Sequence, residues 1–314
     1  METLVFGASG YIGGHLVPTL VERGHHVRAA ARHLDVLEGR GWPGVELVAA
    51  DALKPQTLEP ALAGIEVAYY LVHSMAAGRG FARLDREAAE HFREAAARAG
   101  VRRIVYLGGI QPSTAAASEH LTSRRETGER LRAGRVPVTE VRAGIIVGPG
   151  SAAFEVIRDL VYHLPVMVTP RWVRSRAQPI ALEDLLEYLV RLPELESAAG
   201  EIFDVGGPEV LTYEQLIRQF ADVVCRHPLI VPVPLLSPRL SSYWLDLITA
   251  VPANVGRALV EGLRHDIVAD TAAIQRLLPR RLHDDKEAVV AALGAEQRQG
   301  VPARWTDGDV AVPD

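Results

Sequence analysis

Gly7, Gly10 and Gly13 recur every third residue in Gly7-Ala8-Ser9-Gly10-Tyr11-Ile12-Gly13. The loop follows the apolar run Leu4-Val5-Phe6 and opens an amphipathic segment. In that setting free backbone N–H groups and the positive end of a helix can meet a diphosphate. Gly7 would allow the tight turn, Gly10 would let the backbone approach the phosphates, and Gly13 would let helix and strand pack closely. The end of the second strand selects the dinucleotide, because a carboxylate there binds the ribose 2′-hydroxyl and repels a 2′-phosphate. The segment reads Val27-Arg28-Ala29-Ala30-Ala31-Arg32-His33, with no acid. Arg32 can form a fork onto a phosphate, so NADP(H) is expected in preference to NAD(H). The plain alternatives are a glycine turn without ligand and a solvated Arg32. Asp51, after the third strand, is placed either to touch the adenine edge or to cap the turn that follows it.

The elements that must position these residues alternate in the first half. Strands are expected at Leu4–Phe6, Val27–Ala31, Val45–Ala49, Val67–Val72, Arg103–Leu107 and Val138–Val147. Helices are expected at Ile12–Arg23, about Leu84–Ala99 and Ser118–Leu131, with Gly24 and Gly100 ending the first two. Strand, helix, strand at this spacing implies right-handed crossovers and a doubly wound parallel sheet. Beyond Gly148-Pro149-Gly150 prolines become denser. A helix over Ala181–Arg191, a returning strand at Ile202–Val205 and a helix over Tyr213–Val224 capped near Thr212 are expected there. The reading is an α/β fold of Rossmann type over residues 1–165, rejoined by about 176–210. A smaller, mostly helical lobe over 211–314 would face a substrate or partner at the C-terminal edge of the sheet. The tail after Gly300 reads as loosely held.

Composition narrows the classes. The 314 residues include 34 basic and 39 acidic side chains, a net charge of −5, with 48% hydrophobic residues. That is the balance of a globular chain, and its overall charge gives no reason to expect bulk attraction to nucleic acid or to an anionic membrane. Cys225 is the single cysteine, which excludes an intrachain disulfide and a cysteine-based zinc site. No apolar stretch of about 18 residues predicts a membrane span, and the start Met1-Glu2-Thr3 has no secretory pattern. A cytoplasmic location follows as the expectation. The histidines show no metal-binding spacing, and neither a Gly-x-Ser-x-Gly elbow nor a Walker loop occurs.

From Leu4 to about Pro279 the chain resembles the extended and atypical short-chain dehydrogenase/reductase superfamily, whose nucleotide loop is commonly G-x-x-G-x-x-G. Within it, the stretches Tyr69–Met75, Tyr106–Gly109, Ser118–Leu121, Met167–Val173 and Ser241–Leu245 resemble YbjT-like NAD(P)-binding proteins. NmrA-like redox sensors and an accessory subunit of respiratory complex I share that scaffold. The resemblance implies a cofactor contact set of Gly7, Ser9, Gly10, Tyr11, Ile12, Gly13, Arg32, Asp51, Ala52, Leu71, His73, Gly108 and Arg124. An active member normally uses Tyr-x-x-x-Lys after the fifth strand, the lysine lowering the phenol pKa and the tyrosine protonating the substrate as hydride arrives. No tyrosine here has Lys or Arg four residues later. At the matching place stands His120-Leu121-Thr122-Ser123-Arg124, and Gly108-Gly109 replaces the expected serine.

Arg124 can still hold the nicotinamide ribose, and His120, one turn away, can act as general acid near neutral pH. His73 is a second candidate. The bland reading makes both histidines structural. Arg171 and Trp172 would give the substrate cleft a cation and an aromatic wall, or Trp172 would seal the lobes. Three functions stay open at this point: an NADP(H)-dependent oxidoreductase or isomerase with a non-standard acid, a non-catalytic redox sensor or regulator, and an assembly factor holding NADPH as a structural plug. The substrate is unnamed, and a homodimer or a protein partner remains open.

Overall fold

The computed structural model describes residues 1–73, 80–112, 118–169, 171–232 and 265–299. Ser74-Met75, Pro170, Ser241–Leu245, the tail after Gly300 and the side chains of Arg171 and Trp172 lie outside the described residues. Strands β1 (Glu2–Phe6), β2 (His26–Ala31), β3 (Glu46–Ala49), β4 (Val67–Tyr70), β5 (Arg103–Gly109) and β6 (Val138–Ala143) open the chain. Four short strands follow: β7 (Ile146–Val147), β8 (Val166–Thr169), β9 (Arg176–Ala177) and β10 (Ile180–Ala181). Then come β11 (Ile202–Val205), β12 (Leu211–Thr212) and β13 (Leu229–Pro232). Helices α1 (Tyr11–Glu22), α2 (Leu34–Glu38), α3 (Leu58–Leu62), α4 (Phe81–Ala99), α5 (Glu119–Arg132), α6 (Ala152–His163), α7 (Leu182–Arg191) and α8 (Tyr213–Val223) alternate with them.

The central sheet runs β3-β2-β1-β4-β5-β6-β11, every neighbouring pair parallel. This is the expected doubly wound α/β architecture. Helices cover both of its faces, so its central strands carry few polar residues; β4 and β5 are buried along their whole length. One core packs α1 and α7 on one face, and a second packs α3 and α4 on the other. A third cluster joins Val147, Phe154 of α6, Met167, Phe220 of α8 and Ala288 of the helix Asp285–Gln299. The strand order reverses between β1 and β4, where folds of this class open a crevice beyond the carboxyl ends of the strands.

The expected sixth strand, Val138–Val147, is two strands. It leaves the sheet after Ala143, the last residue paired to β11, and resumes as β7 beside β10. The break at Gly144 falls between Ala143 and the apolar Ile145-Ile146-Val147, and no turn-forming pair marks it. Among the described residues no helix is long and apolar enough to cross a membrane.

Candidate functional site

The glycine loop joins β1 to α1 at that reversal. Gly7 has φ +96°, and the N–H groups of Gly7 and Ala8 both donate to the Ala30 carbonyl, at 2.9 and 3.1 Å. A Cβ on Gly13 would stand 2.7 Å from Ala8 Cα and closer still to the Gly7 carbonyl oxygen, so only glycine lets α1 lie this near the strand. Gly10 is different. Its backbone is extended (φ −75°, ψ 172°), and a Cβ would meet nothing nearer than the Gly7 oxygen at 3.4 Å. The protein's own packing does not need glycine there. Gly10 is also the N-cap of α1 and offers no side-chain cap, leaving the first-turn amides of Tyr11, Ile12 and Gly13 for an anion. The Tyr11 side chain turns away from the loop, its hydroxyl lying where a Cβ on Gly148 would be. Burial raises its pKa well above the usual phenol value, so Tyr11 can contribute to the loop through its amide only.

Arg32 is exposed at the end of β2, and no hydrogen bond or ion pair ties its side chain down among the described residues. Arg40, which the sequence analysis passed over, lies directly on the loop. Its Nη2 donates to the Ser9 carbonyl at 3.3 Å, and its guanidinium carbon is 3.7 Å from where a Gly14 Cβ would be. Burial and the Arg40 charge together lower the pKa of His15 on the next turn of α1. The only sequence signal was a basic residue eight positions after Arg32. Asp51 is engaged in the turn: Oδ1 accepts from the Leu53 amide at 3.0 Å. Ala52 is buried beside it. Leu71 donates its amide to Phe6 O at 2.9 Å, and its carbonyl carbon lies 3.1 Å from the Cβ position of Gly7.

The second group of residues forms at the end of β5. The stem of Arg124 fills the place a serine would need: a Cβ on Gly109 would stand 3.3 Å from Arg124 Cδ and from Leu121 Cδ2. A Cβ on Gly108 would stand 3.2 Å from Glu140 Oε1. Arg124 Nη1 donates to the Leu107 carbonyl at 3.0 Å, and Nε donates to His120 Nε2 at 3.4 Å. Tyr106 Oη fixes the helix by donating to the Arg124 carbonyl at 2.9 Å, and Gln111 Nε2 bridges Gly109 O (2.9 Å) and Leu121 O (3.3 Å). Tyr106 belongs to a stretch that carries the resemblance, but its role here and that of Gln111 had no sequence signal. Ser123 Oγ donates to the buried Asp85 carboxylate of α4 at 2.8 Å. His73, just beyond β4, lies within charge range of Arg124 and His120, and burial, then the Arg124 guanidinium, lower its pKa to about 3.

Burial, then the Arg124 guanidinium, then His73 push the pKa of His120 down to about 3, which disfavours the imidazolium near neutrality. The ring is neutral, and an Nε2 that accepts from Arg124 leaves its proton on Nδ1. A neutral imidazole in such a place polarises a carbonyl by donating a hydrogen bond rather than by handing over an imidazolium proton.

Residues 7–146 match a family model described as NAD(P)H-binding. Ceramide reductase of Caulobacter vibrioides is 29% identical over 272 residues, covering 83% of each chain. Triphenylmethane reductase of Citrobacter, solved as a complex with NADP(H), superposes with a TM-score of 0.74 at 19% identity, covering 93% of this chain and 100% of that one. An NADPH-dependent quinone oxidoreductase from Escherichia coli, complexed with NADPH, superposes with a TM-score of 0.73 at 17% identity, covering 92% and 99%. These two structures share the fold.

Proposed function

We propose that this chain, an NAD(P)H-binding oxidoreductase of the extended and atypical short-chain dehydrogenase/reductase group, is an NADPH-dependent reductase of a hydrophobic small molecule. The observation that carries the cofactor reading is Gly10: it is the one glycine of the motif that the protein's packing does not require, and it opens onto the uncapped amides of α1. The loop amides and Ser9 hold the diphosphate. Arg32 and Arg40 receive the 2′-phosphate, and their two charges with no acid at the strand end favour NADPH over NADH. Asp51 and Ala52 border the adenine, while Leu71, His73 and Gly108 line the strand ends toward the nicotinamide. NADPH, when bound, supplies a hydride.

Arg124, held by Leu107 O, is oriented to donate to the nicotinamide ribose hydroxyls. Neutral His120 would donate a hydrogen bond from Nδ1 to the substrate oxygen, and the proton that completes the reduction would come from solvent. Residues 1–165 with 176–210 form the dinucleotide half, and the described part of 211–314 closes the substrate side. Ceramide, triphenylmethane dyes and quinones, named for the three proteins above, each carry a large hydrocarbon or aromatic framework, which supports a hydrophobic carbonyl or conjugated substrate. A single cysteine suits a reducing cytoplasm.

The test incubates NADPH-loaded protein with a panel of long-chain ketones, enones and quinones and follows absorbance of the reduced nicotinamide. Consumption that depends on the acceptor is expected. No consumption across the panel would overturn the reductase reading.

A further inference from the structure

The ribbon formed by β8 and β13 has no part in the chemistry above. Its parallel register sets Leu229 beside Val166 and Val231 beside Val168. These four side chains are 60, 49, 37 and 45% exposed, whereas the alternating Met167 and Ile230 are buried in the third core cluster. A ribbon that buries one face ordinarily shows polar residues on the other. Four adjacent aliphatic side chains facing outward mark a surface built for contact rather than scattered exposure.

The rim carries the second half of the argument. Tyr162 is exposed, packs edge-on to Phe220, and bears the Arg226 guanidinium 4.9 Å above its ring. Arg226 Nη1 also donates to the Tyr162 carbonyl at 3.1 Å, fixing the cation beside the ribbon. His163 and His227 are exposed at the same end. No Asp or Glu occurs from Leu160 to Leu182 or from Val223 to Pro232, although the chain as a whole carries −5. An aliphatic face edged by an aromatic ring and the Arg226 guanidinium complements the boundary between acyl chains and anionic headgroups.

We propose that the β8–β13 face docks on an anionic lipid bilayer, with Val166, Val168, Leu229 and Val231 entering the acyl boundary and Arg226 meeting headgroup phosphates. The proposal is independent of the reaction proposed above, since vesicle binding is read without turnover. The full-length protein is sedimented with vesicles of phosphatidylcholine alone and of phosphatidylcholine with phosphatidylglycerol. Binding to the second, weakened by salt, is expected. Val168→Asp and Leu229→Asp should each lower partitioning about tenfold, the scale of one aliphatic side chain withdrawn from an apolar contact. Arg226→Gln should remove the preference for phosphatidylglycerol. Since these side chains face solvent, unchanged circular dichroism and NADPH titration of each variant are expected and separate a docking defect from misfolding. Three results would overturn the proposal: no sedimentation with either vesicle, variants that sediment like the wild type, or a wild-type dimer in light scattering that Leu229→Asp splits into monomers.

Discussion

Gly10→Ala and Gly13→Ala differ by one methyl placed three residues apart, and they should fail in opposite ways. At Gly10 the extended backbone suits alanine and the new Cβ meets only the Gly7 oxygen, at an ordinary 3.4 Å. The small loss at an N-cap is offset by reduced freedom of the unfolded chain, so stability should change by less than about 1 kcal/mol. That methyl stands over the uncapped amides of α1. Displacing a diphosphate from one charge-assisted hydrogen bond costs about 1.5–3 kcal/mol, which weakens NADPH binding roughly 10- to 100-fold. At Gly13 the methyl would meet Ala8 Cα at 2.7 Å and press on the Gly7 carbonyl, backbone on both counts. Overpacking of that kind costs about 1–3 kcal/mol or more, a fall of roughly 1.5–5 °C in Tm for a chain of this size. Thermal melts followed by circular dichroism, paired with calorimetric titration of NADPH, read both effects. The reasoning is refuted if Gly10→Ala melts several degrees low, if it binds NADPH like the wild type, or if Gly13→Ala is as stable as the parent.

Arg32→Asp and Arg40→Ala should each cut affinity for NADPH while leaving NADH nearly unchanged, measured by nicotinamide fluorescence; losses equal for both cofactors would remove these side chains from the 2′-phosphate. With His120 at a pKa of about 3, kcat/KM should show no step near pH 6.5, and His120→Phe should lower turnover at constant cofactor affinity. A pKa near 6.5 that vanishes in His120→Phe would mean an imidazolium acid instead. Asp285 is buried, and desolvation, then Glu209 and Asp284, raise its pKa from 3.8 to about 7. Its folded state holds the proton more tightly, so its stabilising contribution is full below pH 3.8 and is lost as pH rises through 7. Asp285→Asn should therefore stabilise the protein at pH 8 by at most about 4 kcal/mol, from 1.36 kcal/mol per pH unit, and by nothing at pH 4. Denaturant melts at the two pH values check this, and equal gains at both would contradict it.

The sequence carried the sheet because its strands are buried on both faces and its helices end at glycines in the left-handed region, such as Gly100 at φ +76°. Ile202–Val205 emerged at its full span, and Thr212 caps α8 through a reciprocal pair with Gln215, a local signal visible in the residues themselves. The break at Gly144 stayed hidden because strand pairing, not hydrophobicity, ends β6. Helix α6 was missed for a related reason: its Ser151 cap sits in a glycine- and proline-rich run that reads as loop, and its buried Glu155 and Asp159 interrupt the apolar stripe. At the site, the absence of Tyr-x-x-x-Lys was legible at once. Arg40 was not, since a loop arginine declares its target only when the fold lays it over Ser9. The charge state of His120 was equally out of reach, because it depends on burial and on the approach of Arg124 and His73 in space.

The most direct measurement is calorimetric titration of the full-length protein with NADPH and, separately, NADH. One molar equivalent of NADPH should bind with measurable heat and more tightly than NADH. Absence of heat with both coenzymes would contradict the assignment of the glycine corner and everything derived from it.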